Sequence, residues 1–305
     1  MHRNKRRAPA PISILLWIPW FGFCLLLGGA LAVKSAADAP LPTPRTGSAV
    51  FVPMDDAAPT ETPAPLPALA VSRSAYGKGL NLRGTEPKIL IYHTHTTEAY
   101  FPTAEFAYRK TSAWRTDDET RNVVAVGERL KQILEEDYGF AVIHDTTNHE
   151  PPKLADAYAR SEQTMLAYAA KYPSIEVFID LHRDAYGSDP KAPADYVTVN
   201  GQALARMMFV VGRGENYADK PYYETNRRFA ERITAYLQSI DPKLARPIRE
   251  KKGRYNQHVG AYCLLVEVGH NANTLEQALA SLPYLAEGIA FAVAETEHTV
   301  TSWVP

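Results

Sequence analysis

The sequence predicts an α/β domain whose sheet is mostly parallel and carries helices on both faces. Two observations point to it. Short continuous apolar runs, the mark of buried strands, alternate along the chain with longer stretches of helical period. Strand–helix alternation of this kind is the pattern of a parallel sheet. A third observation concerns function, because three of the apolar runs end in ionisable side chains.

The elements follow in order. Lys88–Tyr92 is a short Leu/Ile-rich run and reads as a strand. From Glu119 to Tyr138, Val123, Val124, Val126, Leu130, Ile133 and Leu134 recur at helical spacing, and Gly139 marks the stop. Ala141–His144 is a strand, and Leu154–Tyr172 is a helix ended by Pro173. Val177–Leu181 is a buried strand. Val197–Asn200 followed by Gly201 predicts a hairpin turn leading into Met207–Val211. Tyr222–Ile240 is helical, and Tyr262–Val268 is a central strand. Two helices broken near Pro283, Thr274–Ala280 and Tyr284–Glu295, close the domain. There is no internal repeat and no glycine-rich phosphate loop.

The N-terminal quarter differs in kind. Residues 1–11 form a basic tail with Arg3, Lys5, Arg6 and Arg7, and Ile12–Val33 holds no charged side chain. Those 22 residues rise about 33 Å as a helix, enough to cross a hydrocarbon core of roughly 30 Å. The basic flank predicts a cytoplasmic N-terminus and an extracytoplasmic remainder. A cleaved signal peptide is the competing reading, with small residues at Ala30-Leu31-Ala32 and Ser35-Ala36-Ala37. The apolar run is, however, longer than a signal-peptide core of about 7–15 residues. Residues 34–71, rich in Pro and Ala, predict an extended spacer that tethers the domain 72–305.

The chain has 33 basic and 34 acidic residues. Without the four basic residues of the tail the balance is −5, which argues against nucleic-acid binding. Cys24 lies in the predicted span and Cys263 in a predicted core strand, so a disulfide between them is excluded as a source of stability.

The chemistry gathers at strand ends. The first strand runs into His93, His95 and Glu98, spaced HxHxxE; the second runs into His182-Arg183-Asp184; the third carries Glu267. In open α/β sheets the site forms beyond the carboxyl ends of the strands, where such residues converge. His95, Glu98 and His182 supply two nitrogens and one carboxylate to Zn²⁺ and leave a fourth position for water. Asp118 and His93 are alternatives to Glu98 as the third ligand, and His93 has a second reading as a residue that orients the site. Glu267 is the candidate general base, and Arg183 either stabilises the oxyanion or pairs with Asp184. Asn256 and Gln257, in Arg254-Tyr255-Asn256-Gln257-His258, are candidate substrate-binding residues or part of a surface loop.

Taken together, Tyr92-His93-Thr94-His95-Thr96-Thr97-Glu98, Asp180-Leu181-His182-Arg183-Asp184, Tyr255-Asn256-Gln257-His258 and Glu267-Val268-Gly269 resemble the stage II sporulation protein P family over roughly Lys88–Val300. That resemblance implies a phosphorylase/hydrolase-like, zinc amidase-like fold. It also implies a membrane-anchored peptidoglycan hydrolase, an N-acetylmuramoyl-L-alanine amidase and endopeptidase, acting in engulfment during endospore formation. Its implied partners are peptidoglycan and sporulation proteins D and M. In the zinc amidase pattern a glutamate opens the helix that follows the first strand. Here that place falls near Asp118 or Glu119, whereas the HxxE spacing of Glu98 resembles zinc carboxypeptidases. A carboxypeptidase-like metallopeptidase and a non-catalytic wall scaffold are the alternative functions.

Overall fold

The computed structural model of the chain describes residues 80–185 and 195–301, with side chains to residue 294. The predicted tail, membrane span and spacer lie outside the described residues, as does Cys24. Everything described belongs to one compact unit, Pro65–Pro305.

In chain order the elements are β1 (Ile89–Tyr92), α1 (Val123–Glu136), β2 (Val142–His144), α2 (Ala157–Lys171) and β3 (Val177–Asp184). Then follow β4 (Tyr196–Val199), β5 (Gln202–Ala205), β6 (Met207–Gly212), α3 (Tyr223–Ile240), β7 (Arg249–Lys251), β8 (Tyr262–His270) and α4 (Leu275–Thr301). Six strands form one sheet in the order β2-β1-β3-β8-β6-β7, and every neighbouring pair is parallel except β6–β8. The mostly parallel sheet expected from the sequence is what the chain builds.

Strand alternation sorts side chains to two faces. Ile89, Ile91, Val177, Ile179, Leu181, Leu264, Val266 and Val268 join the main core with α1, α3 and α4. Their neighbours Leu90, Tyr92, Phe178 and Cys263 pack on the other face against Met165 of α2. Asp180 and His182 share the parity of Phe178, and Glu267 that of Cys263. All three therefore turn to the α2 face, where the sheet carries only one helix among the described residues.

Several elements depart from expectation. Helix α1 begins at Val123, four residues late, because the Asn122 side chain accepts from the Val124 amide and caps it. A short 3₁₀ turn at Leu154–Asp156 precedes α2. Strands β3 and β8 run on to Asp184 and His270, past the polar residues that were expected to end them. Strand β7 was not foreseen, since Arg249-Glu250-Lys251 carries no apolar signal. Helix α4 is continuous through Pro283 rather than two helices. A proline inside a helix costs about 3 kcal/mol, but each buried Leu, Ile or Val returns roughly 1.5–3 kcal/mol. Leu282, Leu285, Ile289 and Val293 flank the proline and are all fully buried, so packing outweighs the break. The stretch Leu275–Ala294 is long and apolar enough to cross a bilayer by composition alone, yet it is largely buried inside this domain.

The hairpin is as predicted. Asn200 (φ 51°) and Gly201 (φ 79°) take the two left-handed positions that a two-residue turn between twisted strands requires, and β4 pairs antiparallel with β5 across them.

Candidate active site

The first strand ends in a loop pinned from below. His93 is fully buried, with Nδ1 2.8 Å from the Leu181 carbonyl and Nε2 2.8 Å from His144 Nε2. His144 Nδ1 lies 3.1 Å from Glu128 Oε2 on α1. Both ring nitrogens of His93 are thus engaged, and burial, with His144 beside it, pushes its pKa down to about 3. Of its two readings the geometry matches the orienting one.

Thr94 then fastens the loop to β3. Its amide and hydroxyl donate to Asp180 at 2.8 and 2.7 Å. Asp180 Oδ1 also lies 2.8 Å from His182 Nε2. One buried carboxylate therefore ties the first strand's loop to the histidine of β3.

His95, Glu98, His182 and Glu267 meet above this base. The rings of His95 and His182 stand edge to face with centroids 5.4 Å apart, and Glu98 Oε2 is 3.3 Å from His182 Nδ1. Glu267 is the register partner of His182 on β8. Two buried atoms without a hydrogen-bond partner lie here, His95 Nδ1 and Glu267 Oε2. Orphaned buried polar atoms are costly and mark a place where a ligand, ion or water belongs.

The electrostatics are polarised. Burial disfavours charge on His182, but Asp180 and then Glu98 outweigh it and hold its pKa well above the usual value. Burial likewise works against ionised Glu98, but Arg183 and His182 keep its carboxyl well below the usual range. Glu267 goes the other way. Burial pushes it up to about 8, with His182 opposing and Glu98 and Asp184 adding.

The donor set of His95, Glu98 and His182 fits zinc, with two imidazoles and one carboxylate. Among the described residues no three or more His, Cys, Asp or Glu side chains stand in a ready-made metal cage, and Glu98 and His182 are turned onto each other instead. Asp118 is exposed, with its carboxylate accepting from Thr120, away from the buried cluster.

Three other candidate residues have defined surroundings. Arg183 does not pair with Asp184, which lies 3.0 Å from Arg246. Its guanidinium is buried and donates to the Ala99 and Trp114 carbonyls, while its amide donates to Glu98. These contacts tie Arg183 to the Glu98 loop. Asn256, with φ 54°, is buried and donates to the Tyr158 carbonyl and Ser161 hydroxyl. Gln257 is buried too, accepting from the Gly212 amide and donating to the Val210 carbonyl. Their polar groups secure the segment before β8 to α2 and β6.

The order of motifs along the chain can now be set against known proteins. The profile of the Stage II sporulation protein P family matches residues 50–290. The chain belongs to that family. Stage II sporulation protein P of Bacillus subtilis (strain 168) is 27% identical over 204 residues, which covers 64% of this chain and 48% of that protein. The chain thus spans about half the length of this curated relative.

Among solved structures, the CwlD amidase of Clostridioides difficile in complex with the GerS lipoprotein is 13% identical with a TM-score of 0.42, covering 70% of this chain and 99% of that one. The apo N-acetylmuramyl-L-alanine amidase Ami1 of Mycobacterium abscessus is 11% identical with a TM-score of 0.40, covering 70% and 99%. Likeness at this distance assigns no residue a role.

Residues of this Stage II sporulation protein P family member that sequence reasoning passed over also touch the site. Glu150 Oε1 is 3.8 Å from His95 Nδ1, and the same carboxylate takes hydrogen bonds from Arg115 and Thr97. Arg115 also stands 3.7 Å from Glu98 Oε1. Tyr158 of α2 packs edge-on against His95 with centroids 5.6 Å apart. Only Asp180 left a signal, since it lies two residues before His182 in a strand and must share its face.

Proposed function

We propose that the chain is a membrane-anchored, zinc-dependent peptidoglycan hydrolase acting on the septal wall during engulfment in endospore formation. Its principal reaction is that of an N-acetylmuramoyl-L-alanine amidase, with endopeptidase action on stem cross-links beside it. The observation that carries this reading is the convergence of His95, Glu98, His182 and Glu267 on the α2 face, with buried His95 Nδ1 and Glu267 Oε2 left without a hydrogen-bond partner there. Membership of the family adds the sporulation context.

In this reading His95, Glu98 and His182 hold the zinc. When bound, zinc lowers the pKa of water and polarises the scissile carbonyl. Glu267 takes the attacking water's proton and delivers it to the leaving amide nitrogen. Asp180 sets the ring of His182, and Arg183 sets the loop of Glu98. The uncharged segment 12–33 behind its basic tail anchors the chain with the domain outside. Sporulation proteins D and M are its partners, by the same family reading.

The test is incubation of the 305-residue chain with purified peptidoglycan before and after chelation, with released fragments identified by mass spectrometry. Chelation-sensitive release of stem peptides from muramic acid is the expected result. Folded protein that binds no zinc and frees no fragment points to a scaffold.

A further inference from the structure

Two tyrosines border the reaction centre on the α2 face. Tyr158 lies in the first turn of α2, and Tyr255 lies in the segment before β8. Their rings meet edge to face at 82°, with centroids 5.3 Å apart. Tyr158 in turn stands at 85° to the ring of His95. Both tyrosines pack on a strip made of Met208, Val210 and Leu265. Met208 is the register partner of Glu267, and Val210 that of Leu265, across the antiparallel β6–β8 pair. Leu265 is two residues before Glu267 on β8 and so shares its face. The aromatic pair therefore stands beside the candidate base. Burial, and then the charge of Glu267, raises the pKa of the Tyr255 hydroxyl, as expected of a phenol in the field of that carboxylate.

The same hydrogen bonds that hold His182 hold this pair. Asp180, 2.8 Å from His182, accepts from the Thr94 hydroxyl, and Thr94 Oγ1 is 2.7 Å from Ser161 Oγ. The Asn256 side-chain amide donates to Ser161 Oγ at 3.0 Å and to the Tyr158 carbonyl at 2.9 Å. Tyr255 itself sits at φ 51°, a left-handed conformation that an aromatic residue rarely takes. The buried side chains of Asn256 and Gln257 fix the backbone in that form. Strain of this kind persists where the surroundings over-determine it, and it gathers at binding sites. Both rings are only half-buried.

We propose that Tyr255, backed by Tyr158, is the platform for the sugar of the substrate, the muramic acid that carries the scissile amide. The proposal rests on the hydrolase reading and adds to it the place of the glycan. Edge-to-face contact spends a ring edge on its neighbour and leaves ring faces for stacking, while the phenol supplies a polar end. A pyranose matches both features, with a face of C–H groups to cover an aromatic ring and a rim of hydroxyls to meet the phenol. A stem peptide presents no such flat face.

The test uses the full chain carrying Glu267→Gln, so that substrate survives, and calorimetric titration with two probes. One is muramyl dipeptide, and the other is the lactyl dipeptide that keeps the scissile amide and lacks the sugar. Muramyl dipeptide should bind about 10-fold more tightly, the scale of one aromatic contact. Tyr255→Leu, which keeps apolar bulk and loses the ring, should erase most of that preference, whereas Tyr255→Phe should keep it. Tyr158→Leu should narrow it too, and serves in place of Tyr255→Leu should that variant fail to fold. Equal binding of the two probes, or a preference that survives both leucine variants, overturns the proposal. Leucine variants that weaken both probes equally give the rings to the peptide and overturn it as well. A chain with the native Glu267 that shows the tyrosine-dependent preference but frees no fragments from peptidoglycan leaves the platform standing and removes the hydrolase reading. Cleavage without the preference does the reverse.

Discussion

His182 and Glu267 stand opposite each other as register partners on the parallel pair β3–β8, both turned to the α2 face. That pairing separates two roles which sequence spacing alone cannot. Glu267→Gln is expected to keep bound zinc near one per chain and to lower turnover on peptidoglycan by about 10²–10⁴-fold, the usual share of a general base. His182→Ala is expected to lose the zinc as well. Metal analysis of the two purified variants beside fragment release checks the assignment, and loss of zinc from the Glu267 variant would make that residue a ligand.

Asp180 should behave as a partner of the ligand rather than as a ligand. It lies 2.8 Å from His182 Nε2 and takes both the amide and hydroxyl of Thr94. Asp180→Asn keeps the shape and removes the charge. Its zinc affinity, measured by competition with a chromogenic chelator, should fall about 10–100-fold. An unchanged affinity would leave Asp180 a purely structural clasp.

Gly127 of α1 is packed tightly against the paired histidines. A β-carbon there would lie 2.6 Å from His144 Nε2 and 2.8 Å from His93 Nε2. His93 is held at its other nitrogen by Leu181 and has no room to yield. Although alanine is the better helix former, Gly127→Ala should destabilise the fold by about 1–3 kcal/mol, the cost of overpacking a core. Urea unfolding reads this as a lower midpoint, and an unchanged or raised midpoint would mean that the helix shifts outward at no cost.

Cys263 should be chemically silent in the folded state. It is buried on β8, and burial pushes its thiol from 9.0 up to about 12. The thiolate is the reactive form, so alkylation of Cys263 in the native chain should stay slow as pH rises through 9 and become fast on unfolding. Peptide mapping after iodoacetamide treatment reads Cys263 separately from Cys24. Rapid native labelling that climbs near pH 9 would show the strand to be open to solvent.

Much of the fold was legible because it depends on local pattern. Continuous apolar runs marked β1, β3, β6 and β8, and the Asn200-Gly201 pair marked the hairpin. Strand β7 and the unbroken α4 were not legible. An exposed Arg-Glu-Lys strand forms only because β6 offers an edge to pair with, and Pro283 is tolerated only because the core holds both halves of its helix. At the site, His95, Glu98, His182 and Glu267 could be nominated from strand ends. That Asn256, Gln257 and Arg183 each donate to a backbone carbonyl was not legible, since a polar side chain that satisfies a buried carbonyl looks in sequence like one that awaits a substrate.

The sequence by itself determined the alternation of strands and helices, the parity that sends Asp180 and His182 to one face, and the motifs that mark the family. Those are properties of neighbours along the chain, where the period of two or 3.6 acts directly. Only the tertiary structure decided which polar groups are spent on the backbone, and that Glu150 and Arg115 border His95. Those depend on segments brought together by strand order and register, which no local spacing encodes.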